Sequence, residues 1–304
     1  MLRTPKHAGT WYPADSESLR GLLGQHISQT EQHHSFTKAI LVPHAGYRYC
    51  GRTSAHGYKS ILTDMIRRVF VIGPCHFQFI DGCALPESSI AQYGTPLGPL
   101  PLDVHVLNEL RSQSEAPFKV LNKADDEEEH SIEMQLPFIK HVFGDKEVSL
   151  VPIYVGSLGQ NEERLYGRVL AKYFDDPHTL FIISSDFAHW GHRFRFSPRE
   201  FPSVPSIVYP QETMNGKIES LDREAMGLIS NHDCEGFSKY LQTSGNTICG
   251  KNGILILLQM LRFARTKVRP IEFNHYSQST ILPPNPSRED SCVSYASGIV
   301  TIVG

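Results

Sequence analysis

Three short, unbroken apolar runs, at residues 39–42, 69–72 and 180–183, each leave within a few residues into a segment carrying histidine. A strand that is apolar at every position, rather than at alternate ones, has to be covered on both faces. Two layers of helix around a sheet meet that requirement, and the stretches between the runs supply them. A fourth run, 148–155, has the same character. The fold class expected is therefore α/β: one domain over residues 1–304, with a mixed central β-sheet and helices on both faces.

The helical pattern is plainest at 15–29, where Leu19, Leu22, Leu23 and Ile27 share a face behind a capping Asp15 or Ser16. Further helices are expected at 52–62, 104–113, 127–143, 161–174 and 214–230, with Pro137 kinking or dividing the middle one. Residues 247–265 are apolar nearly all round and read as a helix buried in the core. Runs at 270–278 and 292–303 read as two more strands, and the Pro-, Ser- and aromatic-rich stretch 196–210 as a loop.

Several classes of function are excluded by what the chain lacks. No apolar stretch approaches the roughly 20 residues that cross a bilayer, so no membrane insertion is expected. The first residues carry no secretory apolar region, which points to a cytoplasmic protein, with a nuclear pool compatible with the same features. With a net charge of −3 and no basic stripe, the footprint of a nucleic-acid binder is missing. Six scattered cysteines without a CxxC pair point to reduced thiols. Among the histidines, His33-His34 and His178 sit in polar, surface-like stretches, so position decides which imidazoles matter.

Open α/β sheets bind ligands beyond the carboxyl ends of their strands, where the loops diverge. The first run exits into Pro43-His44-Ala45-Gly46-Tyr47, the second into Gly73-Pro74-Cys75-His76, and the third into Ser184-Ser185-Asp186-Phe187-Ala188-His189-Trp190. One histidine at a strand end is as readily structural as functional; three together suit iron, copper, nickel or zinc when a carboxylate or thiolate completes the set. Asp186 is a candidate for that role or for orienting a ligand. Cys249, at the expected start of the buried helix, is another, and the helix dipole and Lys251 would favour its thiolate. In the acidic run 125–129 a solvated helix start is the simpler reading, but His130 and Glu133 fall one turn apart and are placed in support of the pocket. Trp11 and Tyr49 are expected at its entrance, with core packing as the alternative for the aromatics.

The segments Ala8-Gly9-Thr10-Trp11-Tyr12, Pro43-His44-Ala45-Gly46-Tyr47, Gly73-Pro74-Cys75-His76, Glu129-His130-Ser131-Ile132-Glu133-Met134, Ser184-Ser185-Asp186-Phe187-Ala188-His189-Trp190-Gly191 and Asn246-Thr247-Ile248-Cys249-Gly250 resemble those of the Memo family, in the same order. The resemblance implies a fold like that of the class III extradiol non-haem iron dioxygenases. It implies His44 and His76 as metal ligands, Cys249 where the dioxygenases have a carboxylate, and His189 as the counterpart of their catalytic histidine; in a redox site Asp186 is expected to fix His189 or the metal-bound water. A thiolate in place of the carboxylate argues against ring cleavage and shifts preference toward copper or an oxidised metal. Two readings follow. In one, copper or iron at His44, His76 and Cys249 supports redox activity in signalling from receptor kinases to the cytoskeleton and cell migration. In the other, the pocket is an adaptor site for phosphotyrosine peptides of receptor tails or signalling adaptors, read by Trp11, Tyr49, His44, His76, His189 and Cys249.

Overall fold

The computed structural model describes residues 1–31, 36–198 and 213–303; His33-His34 and most of the expected 196–210 loop lie outside them. Its strands are β1 (Leu2–Arg3), β2 (Thr37–Val42), β3 (Arg68–Pro74), β4 (Cys83–Pro86), β5 (Gln92–Tyr93), β6 (Leu100–Pro101), β7 (Phe118–Leu121), β8 (Ser149–Val155), β9 (Thr179–Ser184), β10 (His189–Gly191), β11 (Glu272–Gln278) and β12 (Ser291–Thr301). The helices are α1 (Ser16–Ser28), α2 (Tyr47–Lys59), α3 (Val104–Arg111), α4 (Lys123–Glu128), α5 (Leu136–Phe143), α6 (Gln160–Phe174), α7 (Met214–Ser230), α8 (Cys234–Ser244) and α9 (Lys251–Phe263).

Among the described residues the main sheet has nine strands, in the order β10-β12-β2-β9-β3-β8-β4-β7, with β11 on the other side of β12. The centre, β2-β9-β3-β8, is parallel, and β12 and β4 pair antiparallel to its two sides. The sheet is thus mixed, as expected, and its four central strands are the four apolar runs.

The pairing register shows why those runs are apolar throughout. Leu41, Ile183 and Ile72 are aligned across β2, β9 and β3 and share one face, and α9 lies on it with Gly253 against Ile72 and Ile183. Ile40 and Val42 point the other way, toward α2. There a Cβ on Gly57 would stand 2.5 Å from Val42, so only glycine lets helix and strand approach this closely. Helices therefore cover both faces.

Local sequence sets the ends. Asp15 caps α1 by accepting from the Ser18 amide at 2.8 Å. Helix α2 begins at Tyr47, earlier than expected, because Gly46 turns directly into it and the Tyr47 amide finds the Trp11 carbonyl at 3.0 Å. The helix expected over 127–143 is divided, but upstream of Pro137: α4 ends at Glu128, a 3-10 turn covers Glu133–Gln135, and α5 follows. Pro137 sits in the first turn of α5, where its missing amide costs nothing. A small sheet, β1-β5-β6, and the helix α8 had no counterpart in the sequence reading.

Candidate functional site

Strand order brings the histidines together. Because β9 lies between β2 and β3, the exits carrying His44, Asp186 and His76 stand side by side, and the turn before α9 is pressed onto them. A Cβ on Gly250 would lie 2.5 Å from Ser185 Cβ and 2.6 Å from the Ser184 carbonyl. This contact delivers Cys249 to the strand ends, where its Sγ stands 3.1 Å from His44 Nε2 and accepts from the Asp186 amide at 3.2 Å.

His44, buried, has its tautomer fixed by its neighbours. The Ser184 hydroxyl donates to the Ser131 carbonyl at 2.7 Å and accepts from Gln135 Nε2 at 2.8 Å. Its one proton is thereby used, so at 2.8 Å from His44 Nδ1 it must accept, and His44 keeps Nε2 as a free lone pair. Burial holds the His44 pKa well below the usual range, helped by His76, His130 and His189, so the ring is neutral.

Glu129 does the same for His76. Its carboxylate stands 3.1 Å from His76 Nδ1, accepts from the amides of His76, of Phe77 at 3.1 Å and of Ser131 at 2.8 Å, and reaches His130 Nδ1 at 3.4 Å. Burial opposes its charge, but His76 and His130 outweigh burial and hold its pKa at about 2. An ionised carboxylate only accepts, so His76 Nδ1 carries the proton. Burial alone would lower the His76 pKa; Cys249 on one side and Glu129 on the other raise it to about 10. The Cys249 thiol is pushed up by burial and drawn down by His76. The expectation that the helix dipole and Lys251 favour its thiolate is corrected: α9 starts at Lys251, past Cys249, and Lys251 is exposed.

One ligand atom each from His44, His76 and His130 lies within 4.8 Å of the other two, close enough to hold a metal ion. The rings are not equivalent. His44 meets His76 edge-on, at 71°, whereas His130 stacks on His76 with centroids 4.6 Å apart and planes 17° apart. Burial lowers the His130 pKa to about 4, and the Trp11 ring lies with its centroid 4.5 Å from that of His130, tilted at 41°.

In front of these rings is a cavity of about 510 Å³ whose lining includes Trp11, Tyr49, His44, His76, His130, Asp186 and His189, with Arg48 and Arg193. Trp11 and Tyr49, expected at a pocket entrance, both line this cavity. His189 is positioned by two carbonyls, Phe187 at 2.9 Å and Thr247 at 3.2 Å from Nδ1, which leaves Nε2 as its free lone pair. Asp186, expected to fix His189, instead accepts the His44 amide at 2.8 Å, and burial raises its pKa. Glu133 lies one layer further back: it binds Arg3 at 2.6 Å, Tyr12 at 2.8 Å, and the His7 amide and ring at 2.8 and 3.1 Å, and so holds the 7–12 turn that carries Trp11. Sequence reasoning missed Glu129, Ser184 and Arg3. Their only signal was adjacency to the histidine motifs.

Comparison with known proteins finds relatives over nearly the whole chain. The Memo-like protein family matches residues 3–299. The chain is 40% identical to the Caenorhabditis elegans Protein memo-1 homolog, covering 99% of this chain and 83% of that one. It is 36% identical to human Protein MEMO1, covering 99% and 98%. A crystal structure of an uncharacterized Escherichia coli protein aligns with 86% of this chain and 99% of that one, at 14% identity and TM-score 0.47.

Proposed function

The chain belongs to the Memo family, and from that premise we propose that it is a metal-binding signalling protein in which His44, His76 and Cys249 hold copper or iron. The observation that carries this reading is the arrangement of three donor atoms: Ser184 leaves Nε2 free on His44, Glu129 holds the Nδ1 proton of His76 so that Nε2 is the end a metal would take in place of a proton, and the Cys249 sulfur is in contact with the first. Imidazole with thiolate suits copper and iron, and a carboxylate or hydroxyl behind each imidazole is the usual support of a metal-bound histidine. His130 backs the site. His130, though its ligand atom lies near those of His44 and His76, stacks on His76 with planes 17° apart, which favours a supporting role over that of a third ligand.

The bound metal would supply one-electron chemistry. His189, with Nδ1 tied to carbonyls, would take or give a proton at Nε2 to a group in the cavity, and Asp186 would fix the His44 backbone. Absence of a carboxylate ligand speaks against ring cleavage. Metal content of untagged wild-type protein, beside that of Cys249→Ser, tests the reading: about one copper or iron per chain in the first and a clear loss in the second is expected. Equal content in both ends it.

A second reading is supported by the rim of the same cavity. Arg48 and Arg193 offer charge-assisted hydrogen bonds beside the apolar faces of Trp11 and Tyr49, a combination that fits a phosphotyrosine side chain. The partners would be receptor tails or signalling adaptors upstream of the cytoskeleton and cell migration, met in the cytoplasm or the nucleus. Among the described residues no helix is long and apolar enough to cross a membrane. Titration with a phosphotyrosine peptide and its unphosphorylated twin tests this; equal affinity for both removes it.

A further inference from the structure

Asp186 holds His44 rather than His189, and the carboxylate behind His189 is a different one. Asp222, on α7, is fully buried and accepts four hydrogen bonds. Its Oδ1 accepts from the Ala188 amide at 3.2 Å and from Asn246 Nδ2 at 3.0 Å; its Oδ2 accepts from the Tyr276 hydroxyl at 2.9 Å and from the Ser294 hydroxyl. The two oxygens differ in what they face. An amide N–H and a carboxamide NH₂ can only donate, whereas the hydroxyls at Oδ2 can turn round and accept. The Oδ1 donors belong to the two chain segments that hold His189. Ala188 precedes His189, and Asn246, which also donates to the Tyr240 hydroxyl at 2.9 Å, precedes Thr247. Between these segments the His189 amide donates to Thr247 Oγ1 at 2.7 Å, and Nδ1 faces one carbonyl from each, Phe187 at 2.9 Å and Thr247 at 3.2 Å. His189 lines the front cavity, and Asp222 stands behind it.

We propose that Asp222 is the positioning residue of His189: by holding the 187–189 and 246–247 segments on one carboxylate oxygen, it sets the spacing of the two carbonyls at Nδ1. With that spacing it sets the tautomer of the ring and the direction of the Nε2 lone pair presented to the cavity. Two carbonyls at one nitrogen require a proton there, and the N–H lies between them only while both segments stay in place. If either segment is released, one carbonyl is lost to the ring, the imidazole turns, and the proton exchanges to Nε2. A group that accepts from a cavity ligand then becomes one that donates to it. Oδ2 has no such part, since its two hydroxyls lead to β11 and β12 and not to the His189 ring. The functional weight of Asp222 rests on the proton role given above to His189; the geometry that places His189 involves no metal.

The test is read on full-length, metal-free protein carrying isotope-labelled histidine, at about pH 8, above the ordinary histidine range. Ring-nitrogen NMR shifts report which nitrogen of each imidazole carries the proton, and His189→Gln identifies the His189 signal. Wild type is expected to show His189 in the Nδ1–H form. Asp222→Ala should lower the population of that form at least about twofold, and Asn246→Ala, which cuts the second segment from the same oxygen, should do likewise. Asp222→Asn keeps an acceptor at Oδ1 and turns its NH₂ to the two hydroxyls, so it should restore the wild-type signal. Tyr276→Phe removes a donor from Oδ2 and should leave the signal unchanged, although it weakens the same buried network. A role confined to stability would perturb His189 in step with thermal melting, whichever oxygen is touched. Should Asp222→Ala fail to fold, Asn246→Ala takes its place. An Nε2–H form in wild type, an unchanged signal in the alanine variant, no restoration in Asp222→Asn, or a loss in Tyr276→Phe equal to that in the alanine variant overturns the proposal. Because the signal is read without metal, failure here leaves the metal reading standing, and failure of metal binding leaves this one standing.

Discussion

Glu129 and His76 face each other at 3.1 Å, carboxylate to Nδ1, in a layer where Glu129 is fully buried. That contact keeps the Nδ1 proton on His76, so that Nε2 is the end a metal would take, and it is the first point at which the metal reading can be tested away from the ligands themselves. Glu129→Gln keeps the shape but removes the charge and can present an amide N–H to Nδ1, inverting the tautomer. Copper affinity measured by competition titration should drop roughly 10–100-fold. An unchanged affinity would mean that His76 is not a ligand.

The stacked geometry separates the histidines. His44→Ala and Cys249→Ser should each abolish stoichiometric metal binding, whereas His130→Ala should retain the metal and weaken it by about tenfold through loss of support to His76. Loss of all metal in His130→Ala would make it a ligand despite the 17° stack.

Trp11 lies 4.5 Å from His130 on the cavity side and is only partly buried. Trp11→Ala should lower phosphopeptide affinity by about thirtyfold, the scale of a binding hot spot, with a small change in melting temperature. A protein that melts much earlier yet binds as before would show that Trp11 is a packing residue.

Arg3 is fully buried between Asp126 and Glu133, each 2.6 Å away. Arg3→Met leaves two buried carboxylates without their cation and should destabilise the fold by about 3–5 kcal/mol in a denaturant titration. Below-neutral pH reports on the same network. Burial works against the Glu133 carboxylate, but His7 and Arg3 depress its pKa from the ordinary 4.5 to about 2. A depressed folded-state pKa contributes stability that is full above the unfolded value and is lost as pH falls through the folded one, so Glu133 should contribute an acid-side loss between about pH 4.5 and 2. In Glu133→Gln the slope of stability against pH over that window should flatten; an identical slope would place the titrating group elsewhere.

The central strands, the covering helices and the placing of residues 44 and 76 at the ends of central strands were legible because each rests on local patterning: continuous apolar runs, helical periodicity, histidines after strand ends. The short strands β1, β5 and β6 were not, since pairs of residues such as Leu2–Arg3 carry no period, and their register is set by Arg3 reaching carboxylates more than a hundred positions away. Glu129 was hidden by its neighbours. In the run 125–129 two acids turn inward, Asp126 toward Arg3 and Glu129 toward His76, while Asp125, Glu127 and Glu128 are only partly buried, and no local pattern in the sequence distinguishes them. His130 and Glu133 were read as one supporting pair, yet the first stacks in the cluster and the second anchors the 7–12 turn.

Strand β9 lies between β2 and β3, although nearly all of the intervening chain must be made before it can be inserted there. The cluster is therefore a late product of folding: His44 and His76 have no common floor until Ser184 arrives between them, and Cys249 has nothing to press against until then. Contacts of such long sequence separation form slowly relative to local ones. Ion capture by these residues would consequently act as a checkpoint on chain completion, distinguishing a fully threaded sheet from any partly folded species, which has the same histidines but not their common address.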